Sequence, residues 1–297
     1  MSYSKIALDY PDIILMLQMR GLSIPDFLEA QEFLKNVSYF RLAAYLRPLE
    51  ADKITHVYKP GASIDTAIAL YAFDSDLRTL LFSAIQKIEI ALRSRIIHNF
   101  SIAYGPFWYI EPALCMNQHR FIENLSSLER ELNRSKEDFI KDHYRKYGDE
   151  GVPPSWKALE LASFGCLSKL YFNFFETKAK KSIARSFGIP QHSIFESWLA
   201  SINSLRNVCA HHDRVWNRSM TMWPKLPVKL SGQWINDTSV SKNRLYAVLS
   251  CMVYWLNSIE PSNTFVDDLK KLLSFHPEVD LGAMGFPYKL QSEPLWK

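Results

Sequence analysis

Residues 204–218, "SLRNVCAHHDRVWNR", place two adjacent histidines among three arginines and two asparagines. Histidine, with an ordinary pKa of about 6.5, can accept or donate a proton near neutrality. Arginine stays charged and grips phosphate oxygens through two parallel N–H groups. Asparagine can orient either of them. These are the parts needed to move a proton beside a phosphate. An RNA phosphodiester can be cut by such parts alone. A base activates its own 2′-hydroxyl against the neighbouring phosphorus, an acid serves the departing oxygen, and a fixed cation stabilises the phosphorane.

On a helix at about 100° per residue, Ile194, Phe195, Trp198, Leu199, Ile202, Leu205, Val208 and Cys209 fill one half of the wheel. Asn203, Arg206, Asn207, Ala210, His211 and Arg214 fill the other half. His212 rotates to the apolar side and is expected to turn towards the core. His211 lies one turn beyond Asn207, within touching distance. Arg206 sits about 140° away on the opposite shoulder, and the small Ala210 leaves room for a ligand between them. One helix offers one histidine cleanly, so a complete acid–base pair asks for a second copy of the motif, in a homodimer. Spacing alone leaves a second reading open. There His211 is a surface residue, His212 a core residue, and Arg206, Arg214 and Arg218 pair with acidic residues elsewhere.

The elements that must hold this face can be read from periodicity and punctuation. Residues 23–50 read as two short helices, the first opened by Ser23 and Pro25 and the second stopped by Pro48. Residues 51–62 form a connector with room for a strand. The longest periodic run, 63–105, carries Leu70, Leu77, Leu81, Ile85, Ile88, Leu92 and Ile96 at helical spacing and ends at Gly105-Pro106. It is expected to be the central helix. A charged second long helix is expected over 117–147, followed by shorter ones near 151–174, 178–190 and 192–213. Residues 219–240 read as a proline- and tryptophan-punctuated loop, with helices near 242–259 and 263–275 and then an extended tail. The fold class is therefore all-α. An N-terminal helical extension (1–60) precedes a helical core (61–218), and C-terminal elements (219–297) pack on it.

Bulk composition agrees with a folded helical chain. Of 297 residues, 47% are hydrophobic and 13% aromatic, which excludes disorder. Only 10 glycines are present, few for a sheet-rich fold, and the net charge of +4 suits an RNA partner without demanding one. Cys115, Cys166, Cys209 and Cys251 are isolated, which argues for reduced thiols over a disulfide framework or a zinc knuckle. No apolar run reaches the roughly 18 residues of a membrane span. "MSYSKIALDYPDI" lacks the pattern of a signal peptide. The expected location is the cytoplasm, with no membrane, metal or cofactor involved.

The stretch "LRNVCAHHDRVWNR" resembles the signature of the abortive-infection Abi family of the AbiD/AbiF type. The resemblance extends through "VSYFRLAAYLRPL" (37–49), "LYAFDSDLRTLLFSAIQKIEIALRSRI" (70–96), "YGPFWY" (104–109), "PPSWKALELASFGCLSKLY" (153–171), "SIARSFGI" (182–189) and the tail "GFPYKLQSEPLW" (285–296). It implies a bacterial phage-defence protein of the HEPN superfamily. In those helical bundles an R-x4-6-H motif commonly forms a metal-independent ribonuclease site, often across a dimer. By position the motif is Arg206 and His211, with Asn207 following the arginine and His212 and Arg214 in support. Some proteins of this type are associated with a small structured non-coding RNA, so RNA is the implied partner, as substrate or as cognate complex. Other HEPN proteins act only as binding or assembly modules.

Further residues carry a second use beside a structural one. Glu89 and Arg93 form an i, i+4 pair on the long helix. They are either a surface ion pair or the lining of the Arg206/His211 face, Glu89 orienting a cation and Arg93 holding phosphate. Arg41, Tyr45 and Arg47 could stack on and grip RNA, although Tyr45 also suits the core. Lys178, Lys180 and Lys181 form a basic cluster suited to an RNA backbone. His119 and His143 have no partners at metal-ligand spacing.

Overall fold

The computed structural model describes residues 6–148 and 151–297. Helix α1 (Tyr10–Met19) starts where the Asp9 carboxylate accepts the Asp12 N–H and Pro11 enters the first turn. α2 (Phe27–Asn36) is capped by Asp26 and α3 (Tyr39–Leu46) by Ser38, before a 3-10 turn through Pro48. The connector folds as a small antiparallel hairpin, β1 (Glu50–Asp52) with β2 (Val57–Tyr58). α4 (Ile64–Tyr104) then runs for 41 residues. Ser63 Oγ accepts the Asp65 N–H at its start, and Gly105, with φ of +86°, lets the chain leave its end. All seven apolar residues that define its period are buried.

The long helix expected over 117–147 is instead two, α5 (Gln118–Arg134) and α6 (Asp138–Tyr147). Ser135 and Glu137 are extended, and Ser135 Oγ takes the Glu137 N–H at 3.2 Å. A side chain that bonds its own backbone in this way competes with helix continuation. α7 (Ser155–Ala158) follows two prolines, α8 (Phe164–Asn173) is capped by Ser163 and α9 (Lys178–Ser186) by Thr177. α10 (His192–Ala210), α11 (Leu245–Ile259) and α12 (Phe265–Ser274) complete the helices, and the tail holds three 3-10 turns. Twelve α-helices and one hairpin make the described residues all-α. None of the helices is long and apolar enough to cross a membrane.

Contacts divide the chain into two compact units. One holds the described residues through Arg78 together with Leu269–Asp280; the other holds Thr79–Asp268 and Leu281–Lys297. In the first, the Tyr45 hydroxyl donates to Asp74 at 2.6 Å, and Arg78 pairs with the same carboxylate. Phe73 packs on His276 with ring centres 5.3 Å apart.

In the second unit the most enclosed element is α11, where every residue from Leu245 to Leu256 is buried. A helix apolar on all sides has nowhere to go but the middle of a core. α10 lies against α8, α9 and α11. Phe195 meets Trp255 at 4.8 Å and Phe187 at 5.5 Å, and Trp198 stacks on Trp234 at 5.2 Å. Trp198 is fully buried, and its indole N–H donates to the Lys225 carbonyl at 2.7 Å. Replacing it should open a cavity and orphan that carbonyl. Trp198→Ala is expected to cost about 3–5 kcal/mol of unfolding free energy, measured as a fall in the urea midpoint. A loss under about 1 kcal/mol would mean that α10 is held by something else.

Candidate functional site

The candidate motif straddles the end of α10, and how the helix stops decides where its histidines point. His211 is the C-cap, with φ of −88°, and its N–H bonds the Asn207 and Cys209 carbonyls. The His212 N–H then bonds the Cys209 carbonyl at 3.0 Å, and the Asp213 N–H bonds the Val208 carbonyl at 2.9 Å. This pair of bonds is the Schellman closure, which needs a left-handed residue one place beyond the cap. His212 is that residue, with φ of +57°. The wheel had turned His212 towards the core by continuing the helix past its end. In the fold the helix is over by then, and His212 is exposed. His211 is exposed too, while Val215 and Trp216 are buried and pin the chain just after the motif.

Arg206 lies one turn earlier and faces α4. Its Nε stands 3.9 Å from Glu89 Oε2, an ion pair too long for a hydrogen bond. That Nε is buried without a hydrogen-bond partner, although the side chain as a whole is 29% exposed. Its guanidinium lies 5.8 Å above the Phe82 ring, within cation–π range. Glu89 also accepts from Arg93 Nη2 at 3.0 Å, and the same nitrogen donates to the Ala162 carbonyl at 2.8 Å. Arg93 is thus fixed in place, with Glu160 a further 3.8 Å neighbour. Two helices far apart in sequence therefore bring Glu89, Arg93 and Arg206 together. Arg93 holds Glu89 and the Ala162 carbonyl through Nη2, and its Nε, like that of Arg206, is buried without a partner; Arg206 makes no hydrogen bond to Glu89. Asn207 is exposed on the same side of α10, and Arg214 is half-buried beyond the helix end.

The other candidate residues separate by burial. Tyr45 is 2% exposed and donates to Asp74; burial, and then the Asp74 carboxylate, push its phenol pKa up. It is a core residue and cannot stack on a base. Lys180 is also 2% exposed, with Nζ on the Phe174 carbonyl at 2.9 Å and Glu196 at 2.7 Å, above the Tyr171 ring. Its charge is satisfied inside the fold, so the basic cluster reduces to exposed Lys178 and to Lys181, which pairs with Glu176 at 2.7 Å. The alternation of α9 explains the difference, since its polar face carries two lysines and its buried face one. Arg41 and Arg47 are exposed.

Cysteine offers no nucleophile of comparable standing. Burial pushes the Cys115 and Cys166 thiols up to about 11, and Cys209, on α10 itself, is buried. Among the described residues no three His, Cys, Asp or Glu side chains converge as metal ligands would. Two members of the Arg206 surroundings carried no role in the sequence. Phe82 reads simply as another apolar residue of a long helix. Asn203 was on the polar face, but only the fold shows that its Oδ1 is buried without a partner.

The left-handed geometry at His212 is testable apart from any chemistry. Glycine fits that conformation freely, and a β-branched residue does not. His212→Gly should be more stable than His212→Val by about 1–2 kcal/mol in denaturant unfolding. Both lose the imidazole, so the difference reads the backbone alone. Equal stabilities would contradict the Schellman closure.

Comparison with curated proteins and with solved structures gives no match. Residues 32–217, a stretch containing both α4 and α10, match the family described as Abi-like protein. That stretch is more than half of the sequence, and the chain belongs to the Abi-like protein family.

Proposed function

We propose that this Abi-like protein acts in abortive infection, a defence against phage, as a metal-independent endoribonuclease of the HEPN kind. The observation that carries the reading is the convergence of Glu89 and Arg206 from different helices beside the helix end that exposes His211. Here Glu89 restrains the arginine at 3.9 Å while leaving its Nε unpaired.

In the proposed reaction His211 removes the proton from an RNA 2′-hydroxyl. The 2′-oxygen attacks the adjacent phosphorus, and the bond from phosphorus to the 5′-oxygen breaks. The departing oxygen takes a proton from a second acid, a role that adjacent exposed His212 does not fill in this reading. A homodimer would supply it as the partner's copy of the same histidine. Arg206 stabilises the charge on the pentacoordinate phosphate, held in direction by Glu89, which Arg93 in turn fixes. Asn207, one turn before His211, positions the imidazole or the phosphate, and His212 and Arg214 border the site. In the unit that holds the site, exposed Lys178 and Lys181 are cations for an RNA backbone; Arg41 and Arg47 are exposed on the other unit.

The test is cleavage of RNA in excess chelator by the wild type, by His211→Ala and by Arg206→Ala. The wild type should cut RNA and spare DNA, which lacks the attacking hydroxyl. His211→Ala should lose about 100- to 10,000-fold in rate. A requirement for metal, equal cutting of DNA or a fully active His211→Ala would overturn the mechanism. RNA binding that falls steeply with salt and yields no products would establish instead a non-catalytic RNA-binding protein.

A further inference from the structure

We infer that Trp223 is a base-stacking residue that makes the α10 face select single-stranded RNA. This rests on the reading of that face as an RNA site and adds the substrate class and the residue that determines it.

The segment 220–225 is fastened along α10. Thr221 Oγ1 meets Ser204 Oγ at 3.4 Å, the Lys225 N–H donates to Ser197 Oγ at 2.9 Å, and the Lys225 carbonyl takes the Trp198 indole. Met220 is buried, and its N–H bonds the Asn243 carbonyl at 2.8 Å. Trp223, between these anchors, is 60% exposed. Its indole N–H donates to the Met220 carbonyl at 2.7 Å, so the ring is held and its polar atom satisfied while its surface remains open. An aromatic ring fixed in this way can stack with little loss of conformational freedom.

Its position relates it to the candidate site. Ser197, Ser204 and His211 are seven residues apart and lie within about 40° of one another on α10. The segment runs antiparallel along that stripe, with Trp223 midway between the levels of Ser197 and Ser204. At about 1.5 Å of rise per residue this is about 15 Å from His211 along the axis, the reach of a few nucleotides. Across the polar face lies a second exposed aromatic ring, Phe82, beneath Arg206. Between the two flanks are the amides of Asn203 and Asn207, and Asn203 Oδ1 is without a partner. Aromatic flanks, amides and a cation make a track for a strand whose bases are unpaired, because only an unpaired base presents a free face for stacking.

The test measures binding, so a failure of catalysis cannot be mistaken for a failure of the inference. In a His211→Ala background, affinity is measured at low salt for a single-stranded oligouridylate about 12 nucleotides long and for an RNA duplex of equal length. Trp223→Ala should weaken single-strand binding about 5- to 150-fold, the range of one lost stack, and leave duplex binding unchanged. Trp223→Phe should restore most of the affinity. An oligonucleotide abasic at every position should bind the parent at least as weakly as the intact strand binds Trp223→Ala, and should lose nothing further with the variant. Unchanged single-strand affinity in Trp223→Ala, or equal loss for strand and duplex, would overturn the role of Trp223 and leave the ribonuclease reading standing. No RNA binding by the parent would overturn both.

Discussion

The arrangement depends on the burial of one side of α10. Phe195, Trp198, Leu199, Ile202 and Leu205 are fully sequestered, and the aromatic members press on Trp255 of the enclosed helix α11. This fixes the rotation of α10 about its axis, and rotation decides which residues reach solvent. With the apolar side fixed, Arg206 must face Glu89 and His211 must emerge at the helix end. Trp198 does this twice over, since its ring fills the core while its N–H holds the Lys225 carbonyl and so the loop that presents Trp223.

Charge is distributed unevenly over this frame. Arg78, Arg95 and Lys180 are absorbed by the fold: Arg78 by Asp74, Arg95 by the Ser186 carbonyl and the Phe187 ring, Lys180 by Glu196 and the Phe174 carbonyl. Arg78 and Lys180 are buried, and buried charge requires such partners. Arg206 keeps a long ion pair and, like Arg93, a buried Nε without a hydrogen-bond partner, and it makes no hydrogen bond to Glu89. A cation that is restrained but not satisfied is what transition-state charge stabilisation asks for, because no rearrangement is needed when the charge develops.

Much of the fold was legible because helical punctuation is local. The seven buried apolar positions of α4 and its stop at Gly105 could be read from spacing. The pairing of Glu89 with the Arg206 face was open as one of two uses, and the fold brings the two together. What escaped depended on non-local facts. His212 was given to the core because a wheel has no end, whereas the Schellman bonds stop the helix at Ala210. Lys180 looked like its neighbours until Glu196 and the Phe174 carbonyl met it inside the fold. The break between α5 and α6 turned on one serine hydroxyl, and the enclosure of α11 on what surrounds it. Trp223 sat in a stretch with no period, where only tethering at both ends reveals a fixed ring.

The central claim is that an RNA strand's own 2′-hydroxyl is the nucleophile. Mass analysis of the ends left on a cleaved RNA tests this most directly. Attack by the 2′-oxygen predicts fragments ending in a 2′,3′-cyclic phosphate, or its hydrolysis product, opposite a 5′-hydroxyl. Fragments carrying a 5′-phosphate opposite a free 3′-hydroxyl would show that water is the nucleophile, and would contradict the roles given to His211 and Arg206.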